Sequence, residues 1–176
     1  RRYKLHFSTA KSTKEFIDKY ANQFFDIIDL TYESLYQTVP FTDKTRKMMI
    51  NNFKLIVDIK YVTVLLDEYE KVVCFGLCFP SIAKPIQKCK GHLNPFTIPS
   101  VLKALKKPKV IDLALIGVIP EYQMKGVASV LIYETLKLLT NDIEYAETNL
   151  NLEDNAAIQN QWKSFKTVQH KRRRSF

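Results

Sequence analysis

The sequence predicts an α/β (α+β) fold, a sheet flanked by helices, on three observations. The run from Val110 to Thr140 reads as an apolar strand, a glycine-containing loop and an amphipathic helix. Two apolar runs, Ile59 to Leu66 and Lys71 to Phe79, flank the polar residues 67–70, which favours a β-hairpin. Apolar residues recur at helical spacing between Ser12 and Tyr36, which predicts a long helix or a broken pair of helices.

The other elements follow in chain order. Residues 3–7 alternate weakly between polar and apolar and are a candidate opening strand. The pattern Ser12-Thr-Lys-Glu15 is a capping box, which predicts the start of the long helix. Pro40 interrupts the helical pattern, and Thr42 or Asp43 then caps a second helix. The predicted apolar side of that helix consists of Met48, Met49, Phe53 and Ile56.

Two elements follow the 110–140 run. Residues 143–150 are strand-like, and Ala156 to Phe165 reads as a helix. The loop inside the run holds Gly126, and this glycine and Gly117 are two of only four in the chain. Unpaired N–H groups and a partial positive charge make a helix N-terminus suited to a phosphate group, although a glycine that merely starts a helix remains the alternative.

The loop does not match two common phosphate-binding motifs. A dinucleotide fingerprint needs three closely spaced glycines, and a Walker loop needs Gly-Lys followed by Ser or Thr; neither occurs here. The pattern Gln123, Gly126, Ala128 instead resembles motif A of the GNAT superfamily of N-acetyltransferases. The resemblance implies a central mixed, mostly antiparallel sheet, and a loop whose N–H groups bind the pyrophosphate of acetyl-CoA. The implied binding residues are Gln123, Met124, Lys125, Gly126, Val127, Ala128 and Ser129.

A second stretch is similar to motif B of the same superfamily. Asn155 stands at the start of the helix that begins at Ala156. The resemblance implies that Asn155 contacts the pantetheine arm or the acetyl end, and the alternative is a helix cap, a role for which Asp154 competes. It also implies that the strand ending at Val118 binds the pantetheine arm through its backbone. Together the two motifs span about a third of the chain, residues 110–165.

The implied activity is transfer of an acetyl group from acetyl-CoA to a primary amine of a small molecule or a peptide. Backbone N–H groups near Ile116 and Val118 would bind the thioester carbonyl. Asp112 lies eleven residues before Gln123, where histone-type members place a glutamate, so it is the candidate base. A solvent-exposed aspartate on an edge or at a strand end is the alternative.

The general acid is where the sequence departs from the superfamily. Many members have a tyrosine seven residues after the motif B asparagine, and here that position is Trp162, whose indole N–H does not donate a proton at neutral pH. Trp162 is otherwise expected in the core. Tyr133 and Tyr145 are possible substitutes without a spacing argument. A GNAT-fold module that binds acyl-CoA without catalysing transfer is therefore the rival interpretation.

Residues 80–108 form a proline-rich insertion, with prolines at 80, 85, 95, 99 and 108. Val101 to Lys106 is predicted to be a short helix and Gly91 to Phe96 an ordered loop. A surface elaboration or an oligomer contact is one interpretation. The other is a wall that shapes acceptor choice, with Leu93 and Phe96 as its apolar surface.

The net charge of +9 suits anionic CoA, but a solvated lysine-rich surface gives the same charge. The cluster Lys171 to Arg174 suggests nucleic acid, yet no interleaved aromatic residues and no nucleic-acid motif accompany it. The cluster is therefore predicted to belong to a late strand. Nucleic-acid binding remains the less favoured alternative function.

Composition favours a single domain over residues 1–176, because 46% hydrophobic residues in a chain of this length fill one sizeable core. Without a membrane-spanning run or a signal peptide, a cytoplasmic protein is expected. Three cysteines, of which Cys74 and Cys78 read as core residues, and three scattered histidines give no metal site. The first residue is not Met, so a fragment of a longer chain is expected; oligomers remain possible.

Overall fold

A computed structural model of the protein describes residues 3–33, 38–54, 56–92, 94–139 and 142–174. Five strands within these ranges form one sheet in the order β1-β2-β3-β4-β5. Pairing is antiparallel from β1 to β4 and parallel between β4 and β5, so the α/β class with a mixed, mostly antiparallel sheet is confirmed. The strands are His6–Phe7 (β1), Val62–Leu66 (β2), Val72–Pro80 (β3), Val110–Val118 (β4) and Tyr145–Thr148 (β5).

Helices cover both faces of this sheet. α1 packs against β3 and β4 on one face, together with α2, and α5 packs against β2 and β3 on the other. α3 and α4 belong to the insertion and contact each other, and α6 follows β5. The helices are Thr13–Tyr32 (α1), Asp43–Phe53 (α2), Ala83–Lys88 (α3), Ile98–Lys106 (α4), Val127–Leu136 (α5) and Ala156–Trp162 (α6). No helix in the described part of the chain is long and apolar enough to cross a bilayer.

The predicted capping box starts α1. The hydroxyl of Ser12 accepts a hydrogen bond from the N–H of Glu15 (3.2 Å), as such a box requires. The carboxylate of Glu15 accepts in turn from the N–H of Lys11 (3.0 Å), one residue before the cap. α1 ends at Tyr32, and the predicted continuation to Leu35 and Tyr36 lies outside the described residues.

Phe75 is the centre of the core between α1 and the sheet. Its side chain is fully buried, and its ring stacks on that of Phe24 with centroids 3.9 Å apart. Cys74 and Cys78, on the same strand, are also buried, which confirms them as small core residues. Burial raises the pKa of Cys74 to about 12 and that of Cys78 to about 11, so neither thiol is ionised at neutral pH.

Gly117 permits the close contact of α1 with β4, and we expect Gly117→Ala to destabilise the fold by about 1–3 kcal/mol. An added Cβ would lie 2.5 Å from Cε1 of Phe75 and 2.8 Å from Cγ2 of Ile27, well inside normal contact distance. Urea unfolding measures the change. In a Phe75→Leu background the ring that clashes is gone, so the double variant should be more stable than the sum of the two effects predicts. A change below about 0.5 kcal/mol would contradict this assignment.

Three local predictions were wrong. The first residues of the predicted 59–66 strand form a 3₁₀ turn, Ile59–Tyr61, because the carboxylate of Asp58 accepts from the N–H of Lys60 (2.9 Å) and caps it. The predicted apolar side of α2 is wrong for Met48 and Ile56, which are exposed, whereas Met49 and Phe53 are half-buried and Phe53 stacks on Phe79. Ion pairs of Arg46 with Asp26 and Asp29 also join this helix to α1.

The third error concerns the late strand. Residues 163–174 form neither a helix nor a strand in the described structure. Their charged side chains pair with carboxylates instead: Lys171 with Glu147 on β5, and Arg172 with Glu153 before α6. The stretch has no apolar alternation with which to bury one face of a strand.

The insertion contains two helices rather than one. α4 begins at Ile98, earlier than predicted, because Pro99 lies in its first turn, where a missing N–H costs nothing. α3 was missed because Pro85 reads as a helix breaker, although it too lies in a first turn. Phe96 is 93% exposed, and Leu93 lies outside the described residues, so the proposed apolar wall stays untested.

Candidate functional site

The loop between β4 and α5 leaves its backbone open to solvent. Gly126 is the N-cap of α5 and has φ +77°, a left-handed conformation that side-chain-bearing residues rarely adopt. A Cβ added there would meet no atom within 4 Å. Glycine is thus needed for the turn, and a ligand can approach the backbone closely.

No side chain caps the N-terminus of α5. The first helical bond runs from the N–H of Val130 to the carbonyl of Gly126, so the N–H groups of residues 127–129 have no partner within the helix. Val127 and Leu131 are buried against the sheet and hold the helix in place. The predicted anion site therefore has N–H donors that no side chain caps, at the start of a helix that is packed against the sheet.

The side chains of residues 123–125, in this loop, differ in what they contact. The ammonium of Lys125 lies 5.1 Å from the ring centroid of Tyr122 and 5.4 Å from that of Tyr3, which keeps a positive charge beside the loop. Met124 is fully exposed. The side-chain amide of Gln123 donates to the carbonyl of Val118 (3.1 Å), which ties the loop to the end of β4, and cofactor binding by Gln123 stays a prediction.

A β-bulge in the pairing of β3 with β4 lies where the pairing of β4 with β5 ends. Ala114 is an extra residue on β4 without a partner on β3, and β5 pairs with β4 only as far as Leu113. Asn149, directly after β5, donates hydrogen bonds to the backbone carbonyls of Leu113 and Ala114. Its backbone N–H donates to Leu113 (3.4 Å), and its side-chain amide donates to Ala114 (2.8 Å). Beyond Ala114 the two strands part, which leaves a gap beside the end of β4.

Ile116 and Val118 face that gap with their backbone groups. The N–H of Ile119 donates to Val73 on β3 (3.0 Å), and alternate residues of a strand point their N–H and C=O groups to opposite sides. Ile116 and Val118 therefore point away from β3. The hydroxyl of Tyr32, at the end of α1, donates to the Ile116 carbonyl (3.2 Å), which places a phenol beside the gap.

Asp112 lies on an interior strand, two residues before the bulge. Its partners in register are Phe79 on β3 and Glu147 on β5, and its side chain is half-buried. Burial raises the pKa of Asp112, a hydrogen bond from Ser81 lowers it, and the nearby Glu147 carboxylate raises it further. The alternative of a solvent-exposed aspartate on an edge strand is therefore wrong, whereas its role as a base stays a prediction.

Asn155 is the N-cap of α6. Its side-chain oxygen accepts from the N–H of Ile158 (3.3 Å), so the capping role is the one that the geometry shows. The indole N–H of Trp162, in the same helix, is buried and has no acceptor in the described structure. The Trp162 side chain is only partly buried and contacts the ring of Phe165, outside the main core. The expectation of a core residue is thus wrong.

Three residues of this site carry no local sequence signal. Tyr32 reaches Ile116 across 84 positions of the chain, and Asn149 reaches Ala114 across 35. Glu147 becomes a neighbour of Asp112 only through the parallel pairing of β4 with β5. Each depends on sheet register, which single-sequence patterns do not specify.

No protein-family model matches this sequence, and no curated protein matches it. Solved structures do match. PH1933 from Pyrococcus horikoshii OT3 superposes with a TM-score of 0.61 at 19% identity, over 95% of this chain and 92% of that one. The aminoglycoside acetyltransferase meta-AAC0020 from an uncultured soil metagenomic sample, in complex with trehalose, has a TM-score of 0.59 at 13% identity, over 98% and 95%.

A third similar structure contains the cofactor. The aminoglycoside N-acetyltransferase AAC(6')-Iy in complex with CoA has a TM-score of 0.56 at 12% identity, over 97% of this chain and 95% of that one. Identities this low show the fold alone. The resemblance to GNAT acetyltransferases is thereby confirmed at the level of fold.

Proposed function

We propose that the protein is an N-acetyltransferase that transfers an acetyl group from acetyl-CoA to a primary amine. The observation that carries the proposal is two sets of backbone N–H donors that have no partner in the described structure. One set, at Ile116 and Val118, faces the gap beside β4, and the other is the uncapped N-terminus of α5, residues 127–129. A fold shared with acetyltransferases, one of them in complex with CoA, supports it.

The chain's groups fit acetyl-CoA at both ends. The N–H groups of residues 127–129, with the ammonium of Lys125 beside them, suit the pyrophosphate. The N–H groups of Ile116 and Val118 suit the pantetheine arm and the thioester carbonyl, which acetyl-CoA supplies in an activated form. The buried indole N–H of Trp162 is a further donor without a partner in the described structure.

Proton transfer is assigned to residues at the gap. Ionised Asp112 takes the proton of the acceptor ammonium through water, and its raised pKa makes it a stronger base than an exposed aspartate. Tyr32 is the better candidate acid than Trp162, because its hydroxyl lies beside Ile116. Burial raises the pKa of Tyr32, so its proton is retained at neutral pH.

Two measurements on the purified protein test the proposal. Calorimetry should show CoA binding, and a free-thiol assay over a panel of primary amines should show release of CoA from acetyl-CoA. Tertiary amines of similar size are the matched control, because they are basic but have no hydrogen to exchange for an acetyl group. CoA binding without thiol release from any amine would favour the acyl-CoA-binding module. That module is consistent with Trp162, which stands where many acetyltransferases of this superfamily have a tyrosine. Absence of CoA binding would reject both the acetyltransferase and the acyl-CoA-binding module.

A further inference from the structure

A basic segment, Gln169–Arg174, lies against the proposed acceptor side of the site. The ammonium of Lys171 is 2.8 Å from Oε1 of Glu147, and Nε2 of His170 is 3.3 Å from the same oxygen. Arg172 pairs with Glu153. The segment thus brings the primary amine of Lys171 to β5, with a second cation, Arg172, next to it in the chain.

Glu147 and Asp112 form a pair of carboxylates on one face of the sheet. They are directly opposite each other in the parallel register of β4 and β5. Leu113, the next residue of β4, is the last that pairs with β5 before the strands part. The ammonium of Lys171 lies close enough to both carboxylates to act on each of them electrostatically. The chain's own amine is therefore held next to the residue assigned as the base.

An apolar surface adjoins this carboxylate pair. Phe79 is opposite Asp112 on β3, and its ring stacks on that of Phe53 from α2 with centroids 6.3 Å apart. Two carboxylates beside two aromatic rings suit a ligand with an ammonium group on an aliphatic stem. Such a ligand has the same chemistry as the lysine that lies there now.

We propose that the basic segment occupies the acceptor site, and that the acceptor is a primary amine with a second positive charge nearby, in place of Lys171 and Arg172. This inference rests on the proposed acetyltransferase function. Lys171 is 58% exposed, and exposed ion pairs contribute little free energy, so an acceptor can displace the segment. The segment then competes with the acceptor and lowers its apparent affinity.

Steady-state kinetics test the competition. With spermidine as the acceptor, Lys171→Ala should lower KM by about two- to fivefold, the scale of one exposed ion pair, and leave kcat nearly unchanged. Lys166→Ala is the matched control, because Lys166 is exposed, is nearby in the chain and forms no ion pair in the described structure. An unchanged KM in Lys171→Ala, or an equal fall in Lys166→Ala, would overturn the inference.

Limited trypsin digestion tests displacement without any acetyl transfer. Spermidine should raise the rate of cleavage after Lys171 several-fold at matched ionic strength, because it releases the basic segment from Glu147. A free peptide with the sequence of residues 167–174 controls for effects on trypsin itself. If cleavage responds but no amine yields free thiol, the proposed function fails while the docking stands. If amines are acetylated but cleavage does not respond, the docking inference fails.

Discussion

Gly126→Glu is expected to weaken CoA binding by on the order of 10²-fold or more. The side chain would place bulk and a negative charge at the N-terminus of α5, where the backbone is now open and no atom lies within 4 Å of the Cβ position. Repulsion between this carboxylate and a pyrophosphate in contact with the loop amounts to a few kcal/mol near a protein surface. Calorimetry with CoA on the folded variant measures the loss.

Gly91→Glu provides a closely matched control. Gly91 has φ +83° and open space around it, so the substitution introduces the same charge and a similar backbone strain in the insertion. Its CoA affinity should stay near that of the wild type. Equal affinities in the two glutamate variants would remove the pyrophosphate from the loop at residues 124–129.

The conformation of the loop between β4 and α5 could be predicted from sequence because its signal is local. Gly126 needs a left-handed conformation at a strand-to-helix turn, and a single residue type meets that need. The helix that follows it buries Val127 and Leu131 against the sheet. The start of α1 and the turn of the hairpin were predicted for the same reason, since caps and polar turns act over a few residues.

The gap beside β4 could not be predicted in the same way. The bulge at Ala114 and the two hydrogen bonds of Asn149 depend on the register of three strands. The charged run at Lys171 was misassigned to a strand because sequence alone does not show that Glu147 and Glu153 stand ready to pair with it. In that segment, charged side chains form ion pairs with carboxylates, and the backbone forms no strand. The acceptor side of the site is thus built mostly from contacts between distant parts of the chain.

Asp112→Asn is expected to lower kcat by about 10²-fold, the usual scale for a lost proton-transfer group, with CoA affinity nearly unchanged. The amide keeps the shape of the carboxylate but accepts no proton at neutral pH. Glu144→Gln is the matched control, because Glu144 is an exposed carboxylate just before β5, and its rate should stay close to that of the wild type. Thiol-release kinetics at saturating acetyl-CoA compare the two variants.

The pH profile distinguishes a base from a structural carboxylate at position 112. Burial raises the pKa of Asp112 above the ordinary aspartate value of 3.8. The ionised form is the active one, so the wild-type rate should fall as the pH drops through this raised pKa, at a higher pH than an exposed aspartate would give. Lys171→Ala removes a charge that lowers the pKa of Asp112 in the free enzyme, so in the profile of kcat/KM the acidic limb should shift to still higher pH. Asp112→Asn should lose the limb altogether. A limb at the same pH in Asp112→Asn and the wild type would show that another group accepts the proton, and Asp112 would then be a structural partner of Ser81 and Glu147.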